Sequence, residues 1–179
     1  MTQKIVKLSL FWNSIELTSS SLKYMALPRI KIAKDKAELV QKLLDTKETT
    51  GAFATYADIV AFAASLGAKH QMRSLLSEIS QSEPAPISLE IFISRGYDRL
   101  IKSIAVMETQ NIKILSTEDA AAEAERTLIF EEYANGGLEK LQHELRGAVD
   151  YSERLVLILN SERYSTESSD EEFDLSRFL

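Results

Sequence analysis

Apolar and basic positions alternate along Arg29-Ile30-Lys31-Ile32, the period of two that marks a half-buried strand. The spacing then turns helical. Leu39, Val40, Leu43 and Leu44 share one face, preceded by Asp35 and Glu38 at capping-box spacing. Thr49-Thr50-Gly51 interrupts that pattern. Thr55 and Asp58 offer a second, shorter-armed cap ahead of an apolar face of Ile59, Val60, Phe62, Ala63 and Leu66. Gly67 stands where a left-handed residue ends a helix.

The remaining pattern is mostly helical. Leu75 to Ile79 predicts a short helix, and Ser82-Glu83-Pro84-Ala85-Pro86 a break. Ile87 to Ile93 fits strand or helix. Asp98 to Glu108 carries Leu100, Ile101, Ile104 and Ala105 at helical spacing. Ile112 to Leu115 leads into Ser116 as an N-cap, with Glu118 and Asp119 near the positive helix end. That long helix is expected to run to about Asn135 and stop at Gly136-Gly137. Leu138 to Arg146 predicts another, and Asp150 with Glu153 caps a last helix ending near Ser161.

Strand, helix, glycine turn, helix is the layout of a ribbon-helix-helix DNA-binding unit. The expected fold is therefore mainly α, with a ribbon-helix-helix-like N-terminal unit followed by a helical C-terminal half. Residues 1–26 read as a flexible leader, with ordered structure starting near Leu27 and Met25 as an alternative start. A strand through Ile5, Lys7 and Trp12 competes with that reading. Residues 27–81 form the DNA-binding unit and 87–163 a helical subdomain packed on it. Residues 164–179 form an acidic tail, expected to be disordered from about Ser165. A lone strand leaves half its backbone hydrogen bonds unpaired, which favours a homodimer.

Composition narrows the class. The 179 residues contain no cysteine, which removes disulfides, thiolate zinc sites and cysteine nucleophiles and suits a reducing cytoplasm. No apolar run reaches the ~18 residues of a membrane span. The net charge of −6 is unevenly spread. Residues 1–73 hold 11 Lys and Arg against 6 Asp and Glu, and residues 74–179 hold 10 against 21. One end thus suits a polyanion and the other a protein partner.

The candidate surface follows from that split. Arg29 and Lys31 project from the strand while Ile30 and Ile32 face the core. Lys34 and Lys36 extend the charge, N–H groups opening the helix at Thr55 can hold a phosphate, and Lys69, His70 and Arg73 make a second basic patch. The partner implied is double-stranded DNA, with no catalytic residue, cofactor or metal. The plainer reading of the strand is an edge whose lysines discourage aggregation. His143 reads as a helix-surface residue, Glu131-Glu132 as a solvated face, and Phe130 with Tyr133 as core. Gly136-Gly137 lacks the strand and Gly-Lys-Ser/Thr of a phosphate loop. Two rivals remain: a protein–protein adaptor without DNA contact, and a magnesium-dependent nuclease or hydrolase subunit using Asp58, Glu131 or Glu132.

Two segments, Phe53 to Lys69 and Ile129-Phe-Glu-Glu-Tyr-Ala-Asn-Gly-Gly-Leu138, resemble the DNA phosphorothioation-associated proteins, specifically the group called Dnd system-associated protein 4. The likeness runs from about Arg29 to Ser161. It implies a bacterial accessory protein of systems that place sulfur in the DNA backbone or restrict DNA lacking it. Antiviral defence and partners within that system follow from the resemblance. It carries no catalytic residue over to this chain.

Overall fold

The computed structural model describes residues 28–46 and 51–167. The expected leader, the competing strand through Ile5, Lys7 and Trp12, and the tail beyond Glu167 lie outside the described residues. Strand β1 (Arg29–Ile30) opens the chain, followed by a 3-10 turn at Lys34–Lys36, helix α1 (Ala37–Leu43) and helix α2 (Tyr56–Lys69). Strand β2 (Ile87–Ser88) leads directly into α3 (Leu89–Ser94). Helix α4 (Asp98–Thr109), a 3-10 turn at Ile112–Leu115, α5 (Ala120–Glu144) and α6 (Tyr151–Glu167) complete the order. The protein is mainly helical, with a short two-stranded sheet near the start of the described chain.

β1 and β2 pair antiparallel, Arg29 opposite Ser88 and Ile30 opposite Ile87. The ladder continues irregularly: Ser80 N–H donates to Ile32 O at 2.9 Å, and Lys34 N–H to Glu78 O at 2.8 Å. One edge of β1 is thus satisfied within the chain by residues 78–80 and 87–89. The hydrogen-bond deficit that favoured a second copy of the strand is met internally. The alternation expected of residues 29–32 is present, with Ile30 and Ile32 buried and Arg29 and Lys31 exposed.

The core is one apolar cluster drawn from every helix. Ile30, Val40, Ile59, Phe92, Ile104, Phe130 and Leu141 are nearly or wholly without solvent contact, each contributing about 1.5–3 kcal/mol by burial. Phe92 meets Phe130 edge to face at a 5.6 Å centroid separation, a favoured aromatic geometry. Phe130 and Tyr133 are core residues, as their spacing predicts.

α2 and α5 form the central pair, and glycine makes their contact possible. A β-carbon at Gly67 would collide with the carbonyl oxygen of Tyr133, and one at Gly137 with that of Ala63. Gly136 meets Met72 O in the same way. Glycine in a helix costs ~1 kcal/mol relative to alanine, a cost offset here by backbone-to-backbone contact. Three expected terminators are therefore seam residues. α2 continues past Gly67 to Lys69, where the left-handed residue beyond its end is Gln71 (φ 54°). α5 continues through Gly136-Gly137 to Glu144.

Other local expectations resolve on side-chain reach. Thr55 caps α2, its hydroxyl accepting from Asp58 N–H at 3.3 Å. Asp35 and Glu38 form no capping box: their carboxylates take Lys36 and Lys42 instead. α5 is capped by Asp119 rather than Ser116, because the 3-10 turn at Ile112–Leu115 delays the helix. Asp150 accepts from Ser152 and Glu153 N–H and starts α6 as expected, and that helix extends past Ser161 to Glu167. Residues 75–79 are not helical, and Ile79 bridges antiparallel to Ala33 just beyond β1. No described helix is long and apolar enough to cross a membrane.

Candidate nucleic-acid interface

The residues expected to face DNA divide into two groups. Arg29 and Lys31 lie together on the rim of a groove of about 430 Å³ between β1 and α5. Pro28, Ile79, Gln81 and Pro86 form one wall, and Thr127, Leu128 and Glu131 the other. One N–H of the Arg29 guanidinium donates to Pro86 O at 3.2 Å, which fixes that side chain over the groove while using one of its five donors. Lys34 lies on the adjoining surface cleft, which shares Ile79 and Gln81 with the groove. Its ammonium pairs with Glu78 at 3.0 Å, both side chains about 70% exposed.

Lys36 is not on this surface. It is 8% exposed, with its ammonium 2.7 Å from Asp35 and 3.0 Å from Gln142 Oε1. The period-two reading ends at Ile32, and the 3-10 turn that follows rotates Lys36 toward α5. Thr55 is occupied by its capping role. The first turn it opens already holds the Asp58 carboxylate, which accepts from Thr55 Oγ1, from Arg95 through two N–H groups and from Tyr97 Oη, at 2.7–2.8 Å. Burial would raise the Asp58 carboxyl, but the hydrogen bonds from Tyr97, Thr55 and Arg95 outweigh it and hold the group below its ordinary value.

The second basic patch is exposed but already paired with shielded carboxylates. Lys69 and His70 converge on Glu162 of α6, at 2.8 and 2.7 Å from its carboxylate oxygens. Burial opposes ionisation of Glu162, and the hydrogen bonds from Lys69 and His70 overcome it, lowering the carboxyl. Arg73 donates from Nε to Glu132 at 2.6 Å and from its terminal nitrogen to Glu108. Glu108 also accepts from Tyr133 Oη. Burial, then that carboxylate, pushes the Tyr133 phenol up to about 12. Arg73, Glu132, Glu108 and Tyr133 thus tie the segment after α2 to α4 and α5.

Glu131 and Glu132 are the residues the sequence reading placed wrongly. They are buried, 2% and 3% exposed, not a solvated face. Glu131 Oε1 accepts the backbone N–H of Lys31 at 2.8 Å, and Oε2 lies 3.8 Å from the Lys31 ammonium. Burial raises the Glu131 carboxyl, with the Lys31 N–H and ammonium pulling it back only in part. One signal was available: the two carboxylates interrupt a run from Ile129 to Leu138 that is otherwise apolar, small or amide. Charges in such a run require partners. The two partners lie 100 and 59 residues away in the chain. His143 is exposed on α5. Among the described residues, no three His, Asp or Glu side chains gather as metal ligands.

The sequence matches a family model described as DNA sulphur modification system-associated protein 4, over residues 29–178. No curated protein and no solved structure matches the chain.

Proposed function

Because the chain belongs to the DNA sulphur modification system-associated protein 4 family, we propose that it is a non-enzymatic DNA-binding accessory component of a phosphorothioation system, contacting duplex through Arg29, Lys31 and Lys34. The supporting observation is the placement of Arg29 and Lys31 on one groove rim with the apolar side of their strand buried. Two carboxylates compete for these cations, and magnitude decides between them and a phosphate. An exposed pair such as Lys34–Glu78 contributes ~0–1 kcal/mol, so a phosphate readily replaces Glu78. Lys31 is 46% exposed and its ammonium lies 3.8 Å from Glu131, a carboxylate only 2% exposed. Lys31 therefore serves a phosphate by bridging to it while keeping Glu131, rather than by exchanging partners.

Lys69, His70 and Arg73 belong to a different class. Their carboxylate partners Glu162 and Glu132 are only 15% and 4% exposed. Exchanging such a partner for phosphate leaves a buried charge unpaired, which costs several kcal/mol. The proposed interface is therefore smaller than the sequence implied. It predicts non-specific affinity of about 10⁻⁴–10⁻⁶ M and a shallow salt dependence, a slope of about −3 for three phosphate contacts.

The test is a salt titration of duplex binding by the full chain and by the Arg29→Glu/Lys31→Glu variant. A slope that vanishes in the variant supports the reading. Binding that ignores salt, or that survives charge reversal, defeats it. A protein-adaptor role is the second reading, favoured by one observation. The solvent face of α6 carries Val156, Leu157 and Tyr164, each at least half exposed. Under that reading, charge reversal at Arg29 and Lys31 leaves partner retention unchanged and Leu157→Glu removes it. Asp58, Glu131 and Glu132, the carboxylates of a metal-dependent alternative, serve here as acceptors for Arg95, Lys31 and Arg73.

A further inference from the structure

We propose that the groove between β1 and α5 seats a backbone phosphorothioate of duplex DNA, its charge held by Arg29 and Lys31 and its sulfur resting on Leu128, Ile79 and Pro86. This deepens the DNA-binding reading and rests on it. The groove combines two features that an ordinary phosphate site does not. Its rim is cationic, and its walls are mainly apolar, with Leu128 47% exposed on a helix that otherwise buries its large apolar residues in this stretch.

A non-bridging phosphate oxygen is strongly hydrated, and pressing it against an apolar wall strips that water without replacing its hydrogen bonds. Sulfur in the same position is larger, more polarisable and a weaker hydrogen-bond acceptor, so it loses less on desolvation and gains more by dispersion. The wall therefore penalises phosphate relative to phosphorothioate, while the cations attract both. Selection then comes from the wall and affinity from the rim.

The remaining non-bridging oxygen needs a donor. Arg29 has spent one N–H on Pro86 O. Thr127 lines the groove, is 7% exposed and has a hydroxyl with no hydrogen-bond partner among the described residues. That hydroxyl is itself closed off from solvent, so it meets an acceptor in the groove only by rotating about its Cα–Cβ bond. A buried hydroxyl left unpaired costs about 1–3 kcal/mol, which such a contact relieves. Glu131 at the floor is the one opposing group. Both its oxygens are directed at Lys31, one at 2.8 Å from the N–H and one at 3.8 Å from the ammonium. Its charge is met only in part from within the chain, and at 3.8 Å the Lys31 ammonium can take an anion while staying beside it.

The experiment uses the full chain and two duplexes of one sequence, differing by a single non-bridging sulfur, with the two phosphorus diastereomers separated. Fluorescence anisotropy at low salt is expected to give about tenfold tighter binding of one sulfur diastereomer than of the oxygen duplex, the scale of discrimination by a small apolar contact. Leu128→Gln is expected to bring that ratio close to one, because it removes the sulfur contact and at the same time relieves the penalty on the oxygen duplex. Ile79→Thr, at a second wall position, repeats the test should Leu128→Gln fail to fold. Salt-sensitive binding with equal affinity for sulfur and oxygen overturns the groove assignment and leaves the DNA reading standing. A sulfur preference that survives both wall variants overturns it as well. Binding of neither duplex overturns the DNA reading itself.

Discussion

The backbone N–H of Lys31 donates to Glu131 Oε1 at 2.8 Å across a separation of 100 residues. The side chain of α5 thereby fills the place of a neighbouring strand on that edge of β1. Glu131→Ala is expected to lose about 1–3 kcal/mol, the cost of a shielded N–H left without its acceptor. Glu131→Gln retains an acceptor oxygen and is expected to lose less. Urea denaturation of both variants measures the difference, and equal losses would assign the effect to charge alone.

The same substitution carries a pH signature. Burial raises the folded-state carboxyl of Glu131 above its ordinary value. The native state then binds that proton more tightly than the unfolded chain. The corresponding stabilisation is complete below the unfolded value of about 4.3 and is lost as pH rises through the raised folded value. Relative to Glu131→Gln, the wild-type chain is expected to lose stability across that window. Denaturation midpoints taken as a pH series test it, and parallel curves would contradict the raised carboxyl.

Asp58 titrates with the opposite sign. Its carboxyl is held below the ordinary value, so its contribution is present above the unfolded value of about 3.9 and fades as pH falls through the lowered folded value. Asp58→Asn is expected to destabilise at neutral pH and to converge on wild type in acid. Arg95→Gln should give the same convergence, because the two residues share one interaction. A deficit independent of pH would mean that the cluster acts through packing.

Alanine at a helical glycine ordinarily stabilises by ~1 kcal/mol. At Gly67 and Gly137 the sign is expected to reverse, because the new methyl meets a carbonyl oxygen of the facing helix. A loss of about 1–3 kcal/mol, typical of overpacking, is the expected result of Gly137→Ala by thermal or chemical denaturation. A gain would show that α2 and α5 have room to separate.

The two basic groups are expected to behave differently under substitution. Lys69→Ala should leave duplex affinity and salt slope near wild type while lowering stability, since its ammonium meets Glu162 of α6. Lys34→Ala should reduce the salt slope by about one contact with little change in stability. Anisotropy and denaturation on the same two variants separate these effects, and a Lys69→Ala variant that binds DNA poorly would return that patch to the interface.

What was legible in the sequence was local. Ile30 and Ile32 announced their burial by alternation, Thr55 its cap, and Asp98 to Glu108 its helix, because each pattern completes itself within a few residues. Glycine was misread where its meaning depends on a distant neighbour. Gly67 as a terminator and Gly67 as a contact point leave the same trace, and only the carbonyl of Tyr133 distinguishes them. The same holds for charge. Glu131 and Arg73 look like surface residues until Lys31 and Glu132 arrive from elsewhere in the chain. Lys69, His70 and Arg73 likewise read as an unpaired basic patch until Glu162, Glu132 and Glu108 arrive from elsewhere in the chain, and the groove wall at Leu128 was invisible because it joins two segments far apart in sequence.

The glycine seam also has a mechanical meaning. Glu131, which grips the basic strand, stands about one and a half helical turns from Gly136 and Gly137, where α5 meets α2 and the segment after it through backbone contact. The groove rim and the buried centre of the molecule therefore hang on one short stretch of α5, so that a substitution in the seam is placed to shift the residue that holds the strand.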